Sequence, residues 1–436
     1  MSTPASCPAL LVAAPASGQG KTTVVAALAR LHARRGRRVR VFKCGPDFLD
    51  PQIHAVASGA EVGNIDLGMC GEADIAWRLH AAASEADLIL VEGVMGLYDG
   101  EPSAAALARR FGLPVLAVID ARAMAQTFGA VAYGLAHYQP GLPFAGVFAN
   151  RVGSARHAQM LQAALPPGMG WFGAMARDAD AVLPERHLGL LPAAEIRDLE
   201  ARLDRLADQV EASAVAELPP AVEFAATAAP RIEPLLAGRT VAIARDPAFG
   251  FIYPANIATL HALGARTRFF SPLAGDRLPA CDALWLPGGY PELHGAALAA
   301  NAGLRADLHA HVAAGRPLLA ECGGLMYLLE EIVDADGRAH AMAGVLSGRA
   351  RMQPRLVALG MQTLALASGE LRGHTFHYGA IESAQPAWRH AQRPDGGEGE
   401  ALYRVGGLIA SCVHFWFASN PRAVAAIFGG GNLQSL

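Results

Sequence analysis

Short apolar runs alternate with longer mixed stretches through the first half of the chain. Five of these runs have the length and composition of buried strands, at 9–14, 39–43, 88–92, 115–120 and 144–150. A helix is predicted over 22–34, and helix-length segments also separate the later runs. Strands that alternate with helices predict a parallel sheet with helices on both faces.

The alternation stops near 210 and starts again near 240. Between these points alanine, proline and glutamate dominate, and the prolines of this stretch block long helices and strands; they are Pro219, Pro220, Pro230 and Pro234. Apolar runs at 240–245, 284–287 and 317–321 then begin a second α/β pattern. We predict an N-terminal domain over 1–210, a linker over 211–238 and a C-terminal domain over 239–436.

The composition narrows the class of protein. Apolar residues make up 52% of the 436 residues and charged residues 17%, which indicates large buried cores rather than disorder. The net charge of -3 gives no reason to expect a nucleic-acid partner. We find no apolar run long enough to span a membrane and no basic region typical of a signal peptide. Six cysteines without a CxxC pair favour a reducing compartment, so we expect a cytoplasmic protein.

A glycine-rich segment, APASGQGKTT, follows the first predicted strand and opens the first predicted helix. This context is typical of a phosphate loop, although the usual leading glycine is absent. The loop glycines allow backbone N–H groups to converge on phosphates, the lysine reaches the β/γ oxygens, and a threonine hydroxyl binds Mg²⁺. The residues predicted to bind ATP here are Gly18, Gly20, Lys21, Thr22 and Thr23.

Polar residues end three of the other predicted strands. Lys43, Asp47 and Asp50 lie on a loop made rigid by glycine and proline, and Glu92 ends an apolar strand as a Walker B acid does. We expect Asp47 and Glu92, with Thr22, to bind Mg²⁺, and Lys43 to neutralise a transferring phosphate. Asn150 closes the fifth strand, where an amide that contacts adenine is expected.

The C-terminal half contains a candidate nucleophile. Cys322 lies in AECGGLM, which reads as a strand, a sharp turn and a helix, as at a nucleophile elbow. The helix N-terminus is expected to lower the pKa of the thiol and to favour the thiolate. The backbone N–H of Gly323, and a second N–H from the glycine loop that contains Gly289, would form an oxyanion hole.

A cysteine nucleophile needs a base. The best candidate is His414, which follows a probable strand. His374 and His377, in RGHTFHYG, are the competing candidates.

Eight segments then occur in a fixed order. After the phosphate loop they read FKCGPDFLDP, VEGVMGLYDG, NRVGSARH, LPERHLGL, LPGGYPELHG, AECGGLMYL and RGHTFHYG. This ordered set closely resembles the cobyrinic (or hydrogenobyrinic) acid a,c-diamide synthase family of cobalamin biosynthesis. The resemblance covers about 8–428.

The resemblance implies a dethiobiotin-synthetase-like P-loop domain followed by a class I glutamine amidotransferase domain. ATP and Mg²⁺ would activate the a and c acetates of a corrinoid as acyl phosphates, and ammonia made from glutamine would displace phosphate. Cys322 would be the glutaminase nucleophile and His414 its activating base. Asp47, Asp50 and Glu92 would handle metal and substrate. Lys43 and Asn150 would contact phosphate and adenine.

One position departs from the wider class I pattern, which has glutamate two residues after the histidine. Trp416 occupies that place in this chain, and the resembled branch also lacks the acid. The identity of the group that orients His414 therefore stays open. The alternatives are cobyric acid synthase, Ni-sirohydrochlorin a,c-diamide synthase and, in another class, a regulatory P-loop ATPase with an inactive amidotransferase-like domain. The residues do not decide whether the substrate contains cobalt, and a homodimer is compatible with them.

Overall fold

The computed structural model describes residues 3–186 and 189–431. The chain divides into two compact units, Met1–Pro230 and Arg231–Leu436. No helix in the described residues is both long enough and apolar enough to cross a membrane.

The first unit contains ten strands and seven α-helices among its described residues. The strands are β1 (Ala5–Ala13), β2 (Val39–Cys44), β3 (Gly63–Ile65), β4 (Leu88–Glu92), β5 (Val115–Asp120), β6 (Phe144–Val152), β7 (Trp171–Ala176), β8 (Glu185–Arg186), β9 (Gly189–Leu190) and β10 (Ala221–Phe224). The helices are α1 (Lys21–Arg34), α2 (Asp50–Ser58), α3 (Glu72–Ala83), α4 (Ala104–Phe111), α5 (Thr127–His137), α6 (Ala155–Ala163) and α7 (Leu199–Glu211).

Seven strands of this unit form a parallel sheet in the order β3-β2-β4-β1-β5-β6-β7. Strands β4 and β5 are buried along their whole length because helices cover both faces. The carboxyl ends of parallel strands meet at one edge of the sheet, which is where α/β proteins bind ligands. The loops after β1 and β2 and the last residues of β4 and β6 therefore share one edge.

Part of the segment expected to be a linker is ordered structure. Strand β10 pairs antiparallel with the start of β1, in the register Ala5↔Phe224 to Pro8↔Ala221. Pro219 and Pro220 precede this strand, where the missing N–H of proline does not break a ladder.

The second unit contains fourteen strands and five α-helices in the described part. The strands are β11 (Thr240–Ala244), β12 (Arg266–Phe270), β13 (Ala283–Leu286), β14 (Leu318–Glu321), β15 (Glu331–Val333), β16 (Ala339–Ala341), β17 (Arg349–Met352), β18 (Ala358–Leu366), β19 (Gly369–His377), β20 (Gly379–Glu382), β21 (Arg389–Gln392), β22 (Glu398–Val405), β23 (Leu408–Ser411) and β24 (His414–Phe415). The helices are α8 (Pro254–Ala262), α9 (Gly295–Ala300), α10 (Ala302–Ala313), α11 (Gly323–Leu328) and α12 (Pro421–Gly429).

The main sheet of this unit has the order β12-β11-β13-β14-β23-β22-β21-β18-β19-β24. Its first five strands are parallel and the others pair antiparallel. Alternate residues of β11 and β13 enter separate apolar cores, with Ala242 and Leu284 on one side and Val241 and Trp285 on the other. The sheet is therefore covered on both faces. The predicted fold class, an α/β domain built on a parallel sheet followed by a second α/β domain, is confirmed.

Candidate active sites

The phosphate loop connects β1 to α1. Gly18 and Gly20 have φ values of 74° and 94°, which side-chain-bearing residues rarely adopt. The ammonium of Lys21 donates hydrogen bonds to the carbonyl oxygens of Ala16, at 3.2 Å, and Met95, at 2.6 Å. Burial, together with the nearby charge of Lys43, lowers the pKa of Lys21 to about 8. The loop thus bends around the side chain that would face phosphate.

Asn150, at the end of β6, supports this loop. Its Nδ2 donates to the carbonyl oxygen of Gln19 at 2.9 Å, and a side-chain carbon on Gly20 would lie only 2.0 Å from that nitrogen. Gly20 is therefore required both for its backbone conformation and for the close approach of Asn150. Contact of Asn150 with adenine stays a prediction.

A buried group of charges lies at the same edge of the sheet. We call Lys43, Asp47, Asp50 and Glu92 the acid–lysine cluster. The Nζ atom of Lys43 lies 2.6 Å from Asp50 Oδ2, 2.9 Å from Glu92 Oε1 and 3.7 Å from Asp47 Oδ2. Lys43 is 3% exposed and Glu92 is fully buried, so the charges are stabilised by each other rather than by water.

The pKa values of the cluster follow from burial and pairing. Burial alone would raise the pKa of Glu92, but the charges of Lys43 and His54 hold it well below its usual range. Burial alone would lower the pKa of Lys43, and the three acids raise it well above its usual value. Burial, with repulsion from Asp50, raises the pKa of Asp47 to about 7. Glu92 and Lys43 are therefore charged at neutral pH, while Asp47 holds its proton more tightly than an ordinary aspartate.

Thr22 and His54 complete the contacts of Glu92. The Thr22 hydroxyl donates to Glu92 Oε1 at 2.7 Å and approaches Asp50 Oδ2 at 3.3 Å, and His54 Nε2 is hydrogen-bonded to Glu92 Oε2. Thr23 follows half-buried in the first turn of α1. His54 was not predicted from the sequence; the available signal was a histidine three residues after the GPDFLDP segment.

The donor set fits Mg²⁺, which prefers hydroxyl and carboxylate oxygens. The oxygens of Thr22, Asp50 and Glu92 converge. Asp47, which was expected to be a metal ligand, instead accepts the backbone N–H groups of Leu49 and Asp50 through Oδ1. The geometry thus places Asp50, rather than Asp47, beside the Thr22 hydroxyl.

In the second unit, Cys322 lies at the junction of β14 and α11. Its φ and ψ of 46° and −104° are strained for a residue with a side chain, as expected at a nucleophile elbow. The Cys322 N–H donates to the carbonyl oxygen of Ser411 at 2.7 Å, which fixes the elbow to the end of β23.

The glycine loop after β13 approaches both the elbow and the candidate base closely. A side-chain carbon on Gly288 would lie 2.2 Å from Cε1 of His414, and one on Gly323 would lie 3.0 Å from the backbone nitrogen of Gly289. Gly289 itself packs against Ala248, whose oxygen would be 2.2 Å from an added carbon. The backbone at Gly289 and Gly323 is therefore close together, as the oxyanion prediction requires, and His414 packs against the same loop.

The expected low thiol pKa is wrong in this structure. Burial, with repulsion from Glu292, raises the pKa of Cys322 to about 12, and the hydrogen bond from Gly323 opposes this only in part. Burial, and then the neighbouring His374 and His377, holds the pKa of His414 well below its usual range. Cys322 is thus a neutral thiol and His414 a neutral imidazole at neutral pH, and the elbow of Cys322 and the ring of His414 both pack against the loop that contains Gly288 and Gly289.

Aromatic side chains surround His414, which has tryptophan instead of an acid two residues after it. Its ring stacks on His374 with centroids 5.0 Å apart, and His374 Nδ1 lies 3.2 Å from the Tyr253 hydroxyl. Trp416 is fully buried and packs edge-on against Tyr253. The candidate base is therefore packed among aromatic rings.

Glu321 is a second residue of this site that was not predicted from the sequence. Its buried carboxylate accepts the N–H of Phe415 at 2.9 Å and the indole N–H of Trp285 at 3.0 Å. Glu321, which precedes Cys322, thereby connects the elbow to the residue after His414 and to strand β13, which leads to the glycine loop. An acid at the end of an apolar strand was the available signal. Burial raises the pKa of Glu321 to about 8.

The competing histidine His377 is hydrogen-bonded to Glu400. Its Nε2 lies 2.9 Å from Glu400 Oε1, and the Cys412 thiol lies close to both. Of the motifs quoted from the sequence, LPERHLGL includes His187 and Leu188, which lie outside the described residues.

The raised thiol pKa can be tested by alkylation. Only the thiolate reacts with iodoacetamide, and with a pKa near 12 its fraction grows about tenfold per pH unit throughout the range from pH 6 to pH 9. We expect the alkylation rate of Cys322, taken as the difference between the wild type and Cys322→Ala, to rise over this whole range. A rate that levels off below pH 8 would show a stable thiolate at neutral pH.

Comparison with known proteins matches both units. The model of the CobQ/CobB/MinD/ParA nucleotide binding domain matches residues 10–190, and that of the CobB/CobQ-like glutamine amidotransferase domain matches 240–422. The hydrogenobyrinate a,c-diamide synthase of Pseudomonas aeruginosa is 58% identical over 98% of this chain and 98% of its own. That of Stutzerimonas stutzeri is 58% identical, with coverage of 97% and 98%. The cobyrinate a,c-diamide synthase of Herminiimonas arsenicoxydans is 48% identical over 96% of both chains. The chain belongs to the family of hydrogenobyrinate and cobyrinate a,c-diamide synthases.

Proposed function

We propose that this protein amidates the a and c acetate carboxylates of hydrogenobyrinate, using ATP and glutamine. The chain is a glutamine-dependent carbon–nitrogen ligase. The observation that supports its substrate best is 58% identity, over nearly the whole chain, to hydrogenobyrinate a,c-diamide synthases. The more distant cobyrinate enzymes make cobyrinate the second candidate. The intact Cys322 and His414 argue against a regulatory ATPase.

In the first unit, the residues are suited to phosphoryl transfer. A substrate carboxylate attacks the γ-phosphorus of ATP, which gives an acyl phosphate and ADP; ammonia then displaces phosphate and leaves an amide. Lys21 and Lys43 supply positive charge for the transferred group. Mg²⁺, when bound by oxygens of Thr22, Asp50 and Glu92, would neutralise phosphate charge. Asp47, whose pKa is raised by burial and by repulsion from Asp50, lies beside Lys43 in the same cluster.

In the second unit, the residues are suited to glutamine hydrolysis. His414 takes the proton of Cys322 as sulfur attacks the amide carbon, and the N–H groups of Gly289 and Gly323 would stabilise the oxyanion. The imidazolium returns the proton to the departing ammonia, which leaves a thioester. Water then hydrolyses the thioester to glutamate.

The cellular setting and assembly follow the same proposal. ATP and free glutamine are both cytoplasmic metabolites, so we expect the enzyme to act in the cytoplasm. Homodimerisation stays a prediction for light scattering to test.

The substrate is tested by product mass. Purified protein is incubated with ATP, Mg²⁺ and glutamine, in parallel with hydrogenobyrinic acid, cobyrinic acid and Ni-sirohydrochlorin. We expect a diamide from hydrogenobyrinic acid. A diamide from cobyrinic acid alone would move the enzyme to the cobalt-containing branch. A folded protein that hydrolyses glutamine but amidates none of the three would contradict the proposal.

A further inference from the structure

Three side chains with metal-binding chemistry converge in the second unit, and the proposed reaction uses none of them. They are His377, Glu400 and Cys412, and one ligand atom from each lies within 4.8 Å of the other two. His377 and Cys412 are buried, while the Glu400 side chain is 17% exposed. The group thus combines nitrogen, oxygen and sulfur donors with an approach from solvent.

The two ring nitrogens of His377 face two different oxygen acceptors. Its Nδ1 lies 2.8 Å from the carbonyl oxygen of Gly379, and its Nε2 lies 2.9 Å from Glu400 Oε1. A neutral imidazole has one N–H and cannot donate to both acceptors. With the N–H at Nδ1 donated to Gly379, Nε2 and the Glu400 carboxylate face each other as two ligands of one metal ion do.

Surrounding groups hold these side chains as the supporting shell of a metal site does. A backbone carbonyl fixes the tautomer of a metal-ligating histidine, and Gly379 is placed for this. The Thr375 hydroxyl donates to Glu400 Oε1 at 3.0 Å, and the Glu400 N–H donates to Gln362 Oε1 at 3.1 Å. The carboxylate therefore has little freedom to turn away.

We propose that His377, Glu400 and Cys412 bind a thiophilic divalent transition-metal ion of the Zn²⁺ type. Zinc takes imidazole, carboxylate and thiolate ligands together, whereas a thiolate excludes Mg²⁺ and Ca²⁺. Three protein ligands leave a fourth position for water. Binding displaces the thiol proton of Cys412 to solvent.

The test must distinguish metal binding by Cys412 from metal binding by Cys322. The two residues are close, because the carbonyl oxygen of Ser411, which precedes Cys412, accepts the Cys322 N–H. Co²⁺ is titrated into metal-free, reduced full-length protein, since it reports thiolate ligation by a charge-transfer absorption. We expect one equivalent to bind with this absorption, and Zn²⁺ to displace it. Cys412→Ser removes the absorption, and Glu400→Gln weakens Co²⁺ binding about tenfold or more.

Two control variants complete the experiment. Cys322→Ala and Cys281→Ser, the second at a half-buried thiol outside the group, keep the absorption. The proposal is overturned if one equivalent of Co²⁺ gives no thiolate band, if the band persists in Cys412→Ser, or if Cys322→Ala removes it. Circular dichroism and thermal unfolding of metal-free Cys412→Ser confirm that a lost band does not come from a lost fold.

Discussion

Replacing Cys322 with alanine is expected to abolish amidation driven by glutamine and to leave amidation driven by ammonium salts intact. Without the thiol no thioester forms, so release of ammonia from glutamine should fall about 1,000-fold or more. Formation of the acyl phosphate depends on residues of the first unit, which the substitution does not change. Diamide formation is measured by product mass with each nitrogen source at equal ATP and Mg²⁺.

The matched control is Cys281→Ala, which also removes a thiol from the second unit but outside the elbow. It should retain both activities within about twofold. If Cys322→Ala kept its glutamine-driven activity, another nucleophile would have to be sought. If it lost both activities while still folded, the assignment of separate chemistries to the two units would fail.

The sequence predicted the framework of both units because their signals are local. Buried parallel strands appear as apolar runs, such as 88–92 and 115–120, and the structure places strands at these bounds. The elbow at Cys322 was visible because small residues must surround a strained nucleophile. Likewise, GQGKTT between an apolar run and a helix is sufficient to locate a phosphate loop.

Features that depend on packing between distant segments could not be predicted in this way. Glu321 meets Phe415, which is 94 residues away, and no local pattern indicates that contact. The prediction of a low pKa for the Cys322 thiol was wrong for the same reason. The helix terminus that should lower it is visible in the sequence, but the burial that raises it arises only when β14, β23 and the glycine loop pack together.

The two sites solve one electrostatic problem in different ways. In the acid–lysine cluster, opposite charges keep the buried Lys43 and Glu92 charged at neutral pH, as the proposed binding of phosphate and Mg²⁺ requires. At Cys322 and His414, burial keeps both groups neutral, so in the proposed mechanism charge appears only as the thiol attacks. A carboxylate two residues after His414 would raise the pKa of the imidazole and favour the ion pair instead. The tryptophan at 416 is consistent with the neutral pair.

The largest effect in the first unit is expected from Glu92→Gln. The amide keeps the size of the side chain but loses its charge. Glu92 now accepts hydrogen bonds from Thr22, Lys43 and His54, so the NH₂ group of glutamine would face one of these donors. Amidation with either nitrogen source should fall about 100-fold or more, since Lys43 and the Thr22 hydroxyl lose the group that positions them. Breaking a buried ion pair also costs about 3–5 kcal/mol of stability, which thermal unfolding measures.

Glutamine hydrolysis separates lost chemistry from lost folding in this variant, because Cys322 and His414 are unchanged and should still release glutamate. The control Glu85→Gln removes an acid from a half-exposed ion pair with Arg40, at 2.7 Å, and should change neither stability nor amidation measurably. If Glu92→Gln unfolds the first unit, Asp50→Asn tests the same cluster from its less buried side. Full amidation by a folded Glu92→Gln protein would exclude the acid–lysine cluster from phosphoryl transfer, and the carboxylate of the substrate would then have to be activated at another site.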